Sequence, residues 1–205
     1  MKNKKILLVG GCGFIGHNLA LSFKKNGAHP IILDSLSVNN LYSLVDDEVK
    51  NKNLYKSILK NRIDLLKKNE IKLIVQDARD YHKVSEIYSE INPDIIIHLA
   101  AVSHANKSNK DPHSTFDHSL RTLENSLDFA RIKKTHLIYM SSSMVYGNFN
   151  SKEVSENTVC NPIGIYGTLK YSGELLVKSY NQIFDLPYTI IRPSALYGER
   201  CVSRR

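Results

Sequence analysis

The chain has 205 residues, 42% of them apolar and 23% charged, which excludes a disordered or fibrous protein and suits one substantial core, with little room for two. Its longest apolar runs, such as Ile6–Val9 and Ile95–Ile97, fall far short of the roughly 20 residues of a membrane helix. The net charge of +8 comes mostly from Lys50–Lys72, where eight Lys or Arg face two acids. Without aromatic interleaving, a zinc pattern or a helix-turn-helix signature, this stretch reads as a solvated helix and not as a nucleic-acid surface.

Taken in chain order, a first strand is expected at Ile6–Val9, short for a signal-peptide core and followed at once by glycines. Further strands are predicted at Pro30–Leu33, Leu73–Val75, Asp94–Leu99, His136–Met140 and Tyr188–Ile191. Helices are predicted near 14–26, 51–68, 80–91, 113–131 and 164–185. Leu54, Ile58, Leu59, Ile63 and Leu66 give the second a partly helical stripe. Phe116, Leu120, Leu123, Leu127 and Ala130 give the fourth its buried face. Leu169, Gly173, Leu176, Tyr180 and Phe184 do the same for the fifth. Strands apolar on both faces, alternating with helices, predict an α/β fold with a doubly wound parallel sheet, a Rossmann fold spanning 1–205. Cys12, Cys160 and Cys201 are odd in number and have no metal-ligand spacing, so three free thiols, no bound metal and a cytoplasmic protein are expected.

Gly10-Gly11-Cys12-Gly13-Phe14-Ile15-Gly16 lies between the first strand and the first helix. In that position Gly10 suits a tight turn, Gly13 the close approach of a pyrophosphate, and Gly16 close packing of helix and strand. Asp34 ends the second strand, 24 residues after Gly10. An acid there can accept from both ribose hydroxyls of NAD and repels the 2′-phosphate of NADP, so NAD is the expected cofactor. Asp77, after the third strand, can meet the adenine end or cap the next helix, for which Asp80 is the better candidate.

Tyr166 and Lys170 lie four apart near the start of the last helix, on one face, with Leu169 and Gly173 beginning the buried stripe about 100° away. A lysine beside a phenol favours the phenolate, which can take a proton from a substrate hydroxyl while hydride leaves the same carbon. Ser141-Ser142-Ser143 follows the fifth strand, at the carboxyl edge where such sheets bind ligands.

These motifs, with His98-Leu99-Ala100-Ala101, Val145-Tyr146-Gly147 and Arg192-Pro193-Ser194-Ala195-Leu196-Tyr197-Gly198, resemble the extended short-chain dehydrogenase/reductase family, its NAD-dependent epimerase/dehydratase group acting on nucleotide sugars. The resemblance runs from Gly10 to Gly198. It implies that Ser142, three positions before Val145, is the catalytic serine, Tyr166 the acid/base, and Lys170 a holder of the nicotinamide ribose. It implies cofactor contacts from Gly10, Gly13, Phe14, Ile15, Gly16, Asp34, Asp77, Ala78, Leu99, Ala100 and Ala101. A substrate side begins at Ser103–Lys107 and includes Ser142, Ser143 and Tyr166.

Family dehydratases place an Asp-Glu pair directly after the catalytic Thr, where this chain has Ser143 and Met144. That departure favours epimerisation of a nucleotide sugar through a keto intermediate. A dehydratase, a ketosugar reductase and a non-catalytic dinucleotide-binding protein are the alternatives. His118 replaces an Asn common near the active site, and either a ligand-facing or a solvent-facing role is open to it. The stretch between Ser37 and Lys68 is longer than usual, as surface decoration or an oligomer contact. A homodimer is a possible state. Relatives continue for roughly a hundred residues more, so a truncation after 205, with the C-terminal substrate-binding part missing, is expected.

Overall fold

A computed structural model describes residues 1–38, 40–44, 51–102, 105–149 and 152–202. Six parallel strands, β1 (Lys5–Val9), β2 (His29–Asp34), β3 (Lys72–Val75), β4 (Ile95–His98), β5 (His136–Met140) and β6 (Tyr188–Ile191), form one sheet in the order β3-β2-β1-β4-β5-β6. The helices are α1 (Phe14–Lys25), α2 (Lys52–Lys68), α3 (Tyr81–Ile91), α4 (Ala105–Lys110), α5 (Pro112–Phe116), α6 (Thr122–Lys133) and α7 (Gly164–Phe184). All six predicted strands and the doubly wound topology are present.

Because side chains alternate across a strand, β1 feeds two cores at once. Leu7 and Val9 pack with Leu33, Ile96, Leu137 and Tyr139 beneath α3, α6 and α7. Ile6 and Leu8 pack with Ile32 and Ile97 beneath α1 and α2. Each such side chain taken fully out of water contributes about 1.5–3 kcal/mol, so a polar substitution in β1 damages both layers.

The strand order reverses between β1 and β4, and the loops leaving those strands meet there. Gly10 N–H donates to the Leu33 carbonyl at 2.8 Å and Leu99 N–H to the Val9 carbonyl at 2.8 Å. That crevice at the carboxyl ends is where a doubly wound sheet takes a ligand.

Three expectations about the helices change. The predicted 113–131 helix is α5, a π-helical turn at Asp117–Arg121, and then α6. The wider turn puts an extra residue into the rotation, so Phe116 leaves the stripe of Leu123, Leu127 and Ala130 and is 52% exposed. On α7 the buried face is Gly167, Lys170, Gly173, Glu174 and Val177, while Leu176 remains 36% exposed. Gly167 and Gly173 cause this rotation: a Cβ at Gly167 would lie 2.8 Å from the Met144 carbonyl oxygen, and one at Gly173 would overlap the Tyr139 ring. On α2 the buried residues are Leu59, Arg62 and Leu66, with Leu54 exposed, so the helix read as solvated hides an arginine. Helix α4 was not predicted.

Candidate active site

The glycine loop has the shape its spacing implies. Gly10 sits at φ +75°, and a Cβ there would lie 2.6 Å from Ala100 N, so both the turn and the contact with the β4 exit require glycine. At Gly13 the space is open, the nearest atom to an added Cβ being the Gly10 carbonyl oxygen at 3.5 Å. Gly16 lies against the backbone of Gly11, closer than any side chain allows. Gly13 precedes α1 without a side-chain cap, so Phe14, Ile15 and Gly16 begin a helix whose positive end is turned to the crevice.

Asp34 is buried at the end of β2. One carboxylate oxygen accepts from Cys12 N–H and the other from Leu36 N–H, each at 2.8 Å. Burial raises its pKa against the lowering effect of those two bonds. A carboxylate has about four acceptor positions, so two remain for vicinal hydroxyls. Asn40 ties the following turn to the loop, its side-chain amide donating to the Cys12 carbonyl at 3.3 Å. The loop, the uncapped helix end and the spare acceptors together fit a dinucleotide.

Asp77 and Asp80 divide their work. Asp80 caps α3, accepting from Lys83 N–H at 3.1 Å. Asp77 is held by Arg79, which donates through Nε at 3.1 Å and Nη2 at 2.6 Å and lowers its pKa. Arg79 also reaches Asp117 in the π-turn at 2.8 Å. Ala78 is buried, its carbonyl accepting from Asn125 at 2.8 Å. Leu99, Ala100 and Ala101 leave β4 half-buried along the crevice.

Across it, β5 delivers the three serines to different tasks. Ser141 turns inward, its hydroxyl donating to Glu174 at 2.5 Å. Ser142 caps the 3-10 turn Ser143–Tyr146, accepting from Met144 N–H at 3.2 Å, and its hydroxyl lies close enough to the Tyr166 phenol to lower its pKa. Ser143 is fixed through its backbone, N–H to the Pro193 carbonyl at 2.9 Å. The structure therefore brings Ser142, and not its neighbours, to Tyr166.

Lys170 is 5% exposed. Its Nζ donates to the Met140 carbonyl at 2.7 Å and lies 5.2 Å from the centre of the Tyr139 ring. Burial lowers its pKa to about 8. The Tyr166 pKa is raised, by burial first, with the Ser142 bond opposing it. The expected depression of the phenol by its lysine is absent here: burial is the first cause at Tyr166, and the Lys170 ammonium is hydrogen-bonded to the Met140 carbonyl. His118 is half-buried and bonds back along its own helix, Nδ1 to the Ser114 carbonyl at 2.8 Å. Ser103 lies outside the described residues.

Sequence reasoning overlooked a buried network. Arg192, just after β6, donates to Glu174 through Nε at 2.9 Å and Nη2 at 2.7 Å, and through Nη1 to Tyr146 and the Glu156 carbonyl, each at 3.0 Å. It also overlooked Arg62, which donates to the Arg200 carbonyl, while Arg200 reaches His17 and Asn18 on α1, each at 2.9 Å. Long-range polar pairs leave no local spacing to read. The available signals were Glu174, a turn beyond Lys170 on the same face, and Arg192 at the head of the motif that ends at Gly198.

A glycine-cradled crevice facing a Ser–Tyr–Lys group defines a doubly wound domain of the dinucleotide-dependent dehydrogenase/reductase class. The sequence profile of the NAD dependent epimerase/dehydratase family matches residues 6–205, and the chain belongs to that family. Protein CapI of Staphylococcus aureus is 32% identical over 196 residues, 95% of this chain and 54% of the relative. A putative UDP-glucose 4-epimerase of Methanocaldococcus jannaschii is 31% identical over 197 residues, 95% of this chain and 57% of the relative. Among solved structures, the UDP-glucuronic acid 4-epimerase of Bacillus cereus, in complex with UDP-glucuronic acid and NAD, superposes with a TM-score of 0.78 at 28% identity. That superposition covers 92% of this chain and 55% of the Bacillus chain. The chain thus spans about half the length of the relatives it matches. Among the described residues, no helix is long and apolar enough to cross a membrane.

Proposed function

We propose that this chain carries the NAD-binding and catalytic residues of an enzyme that epimerises a nucleotide-activated sugar, a UDP-sugar being the first choice from the named relatives. The observation that carries the reading is the Ser142–Tyr166 pair at the carboxyl edge, with Lys170 one turn along and the glycine cradle opposite. Gly10, Gly13 and Gly16 would admit the pyrophosphate at the α1 terminus, Asp34 the adenosine ribose, and Asp77 with Ala78 the adenine side. Leu99–Ala101 would line the nicotinamide half. Bound NAD would accept the sugar's hydride and return it to the other face.

The chain's own part is proton handling. Ser142 holds the reacting oxygen, and Tyr166 takes its proton and later gives it back. Lys170 supplies a fixed cationic end at the base of the pair. Ser143 and Met144, at the positions after Ser142, offer no carboxylate to deprotonate or protonate a ring carbon, which supports epimerisation over dehydration. Ser103 and Ser143 belong to the sugar side of this reading, and three free thiols accord with a cytoplasmic setting. Homodimer formation belongs to it as well, since Phe116, Leu120, Leu176 and Tyr180 line a half-open apolar groove rimmed by Arg121 and Glu124.

The test is incubation with NAD and a panel of UDP-sugars, products being followed by NMR and mass spectrometry and association by sedimentation. Interconversion of an epimeric pair without net conversion of NAD to NADH is expected, falling about 10²–10⁴-fold in Tyr166→Phe. A 4-keto-6-deoxy product would establish dehydration instead. Bound NAD with no product from any sugar would leave a dinucleotide-binding protein without turnover.

A further inference from the structure

Glu174 is 0% exposed, an unusual place for a carboxylate. It sits one turn beyond Lys170 on the inward face of α7. Both its oxygens are engaged: Oε1 accepts from the Ser141 hydroxyl at 2.5 Å and from Arg192 Nε at 2.9 Å, and Oε2 from Arg192 Nη2 at 2.7 Å. The ion pair is bidentate, the geometry that fixes orientation as well as distance. Arg192 extends the clamp to the Tyr146 hydroxyl and the Glu156 carbonyl, each at 3.0 Å, with its guanidinium 5.0 Å from the centre of the Tyr146 ring.

Each end of this network adjoins the site. Ser141 immediately precedes Ser142 and is bonded through its backbone to Ile191 of β6 at 2.8 Å. Ser143 immediately follows Ser142 and is bonded to Pro193, next to Arg192. Lys170 grips the Met140 carbonyl one residue earlier on β5. Helix α7, carrying Tyr166, and the β5 loop, carrying Ser142, are therefore locked at successive residues, Lys170 on Met140 and Glu174 on Ser141.

We infer that Glu174 and Arg192 are positioning residues for the proposed reaction: their buried ion pair sets the height and rotation of α7 over the end of β5, and so the placing of Tyr166 against Ser142. This inference rests on the reading of Ser142 and Tyr166 as the reacting pair. A purely stabilising role would be an inefficient use of the two residues, because buried ion pairs are commonly matched or bettered by packed apolar side chains. Fixed geometry is what such side chains cannot supply.

The test reads geometry without turnover. Tyrosine ring carbons are labelled with ¹³C, the Tyr166 resonance is assigned by its loss in Tyr166→Phe, and its titration is followed in wild type, Glu174→Gln, Arg192→Lys and the double variant Glu174→Met/Arg192→Met. The groups that act on the phenol, Ser142 and Tyr139, are retained, as is Lys170 one turn along α7. Glutamine turns an amide donor toward Arg192 Nη2 and opens the clamp. The Tyr166 midpoint is expected to rise by about one pH unit as the phenol is drawn away from Ser142. Affinity for ADP-ribose, which reports the distant glycine loop, is expected to stay within about twofold.

In the double variant the melting temperature is expected to return toward wild type while the Tyr166 midpoint stays high. An unchanged midpoint in Glu174→Gln overturns the inference, as does a midpoint that recovers together with stability in the double variant. If Glu174→Gln does not fold, Arg192→Lys and the double variant decide by the same criterion. Absence of ADP-ribose binding in wild type would count against the dinucleotide reading alone.

Discussion

His98 offers a prediction that needs no substrate. It ends β4 at the base of the crevice with 0% exposure, Nδ1 at 3.0 Å from the Ser126 hydroxyl and Nε2 at 3.4 Å from that of Thr122. Ser126 also meets the Tyr88 hydroxyl at 2.9 Å, and the imidazole stacks on Tyr139, with Lys170 also placed over that ring. Burial, with the Lys170 charge adding to it, lowers the His98 pKa to about 3 from an ordinary 6.5. The folded protein therefore keeps His98 neutral while the unfolded chain protonates it below pH 6.5. Between those values the unfolded state binds the extra proton, so stability is lost as pH falls. At pH 5 the loss from His98 is about 2 kcal/mol, rising to about 4 kcal/mol at pH 3. His17, lowered to about 4 by burial, adds a loss of the same sign and about the same size at pH 5. His98 and His17 together should thus contribute about 4 kcal/mol of lost stability to urea unfolding of wild type between pH 7.5 and 5.0. His98→Asn lowers stability at both pH values through lost packing, but its pH-dependent difference should shrink by about 2 kcal/mol. Parallel pH profiles for wild type and variant would refute the reasoning, since packing loss alone does not change with pH.

The glycines separate a fold requirement from a ligand requirement. Gly16→Ala forces a methyl into the Gly11 backbone and should cost more than about 2 kcal/mol by urea unfolding. Gly13→Ala meets open space, so stability should change by about 1 kcal/mol or less while NAD affinity, read by calorimetry, falls at least about tenfold. Asp34→Asn removes the charge that accepts from Cys12 and Leu36 N–H and, in the proposed complex, from the ribose. It should weaken NAD binding about 10–100-fold and narrow the preference over NADP; an unchanged preference would assign discrimination elsewhere.

Glycine spacing, strand apolarity and the four-residue step from Tyr166 to Lys170 are local patterns, and they led to the doubly wound parallel sheet, the turn at Gly10 and the place of Tyr166 and Lys170 near the start of α7. What failed was the assumption that apolar periodicity alone selects the buried face. Leu169, Leu176 and Tyr180 have the right spacing, yet Gly167 and Gly173 decide which side of α7 approaches β5, because only there is the surface flat enough for close contact. That rotation carries Lys170 and Glu174 inward. In the same way the π-turn at Asp117–Arg121 breaks a pattern that looks continuous from Phe116 to Ala130. The sequence offers no marker for the extra residue, and Thr122, whose hydroxyl returns to the His118 carbonyl at 2.9 Å, reads as an ordinary helix position.

Both failures place polar groups under the site. Lys170 holds Met140, Glu174 holds Ser141, and the chain around Ser142 has little freedom left. The same attachment raises a demand on the chemistry. An ammonium bonded to a main-chain carbonyl is a weak partner for the phenol, so in this structure burial outweighs any help Tyr166 receives and its proton is held tightly. For Tyr166 to act as a base near neutrality, the balance must shift when the crevice fills, through a positive charge brought beside the phenol or through Lys170 turning from Met140 toward it. The second route has a structural limit: releasing the Met140 carbonyl loosens α7 at one of its two anchors, and Glu174 on Ser141 is then what keeps Ser142 opposite Tyr166.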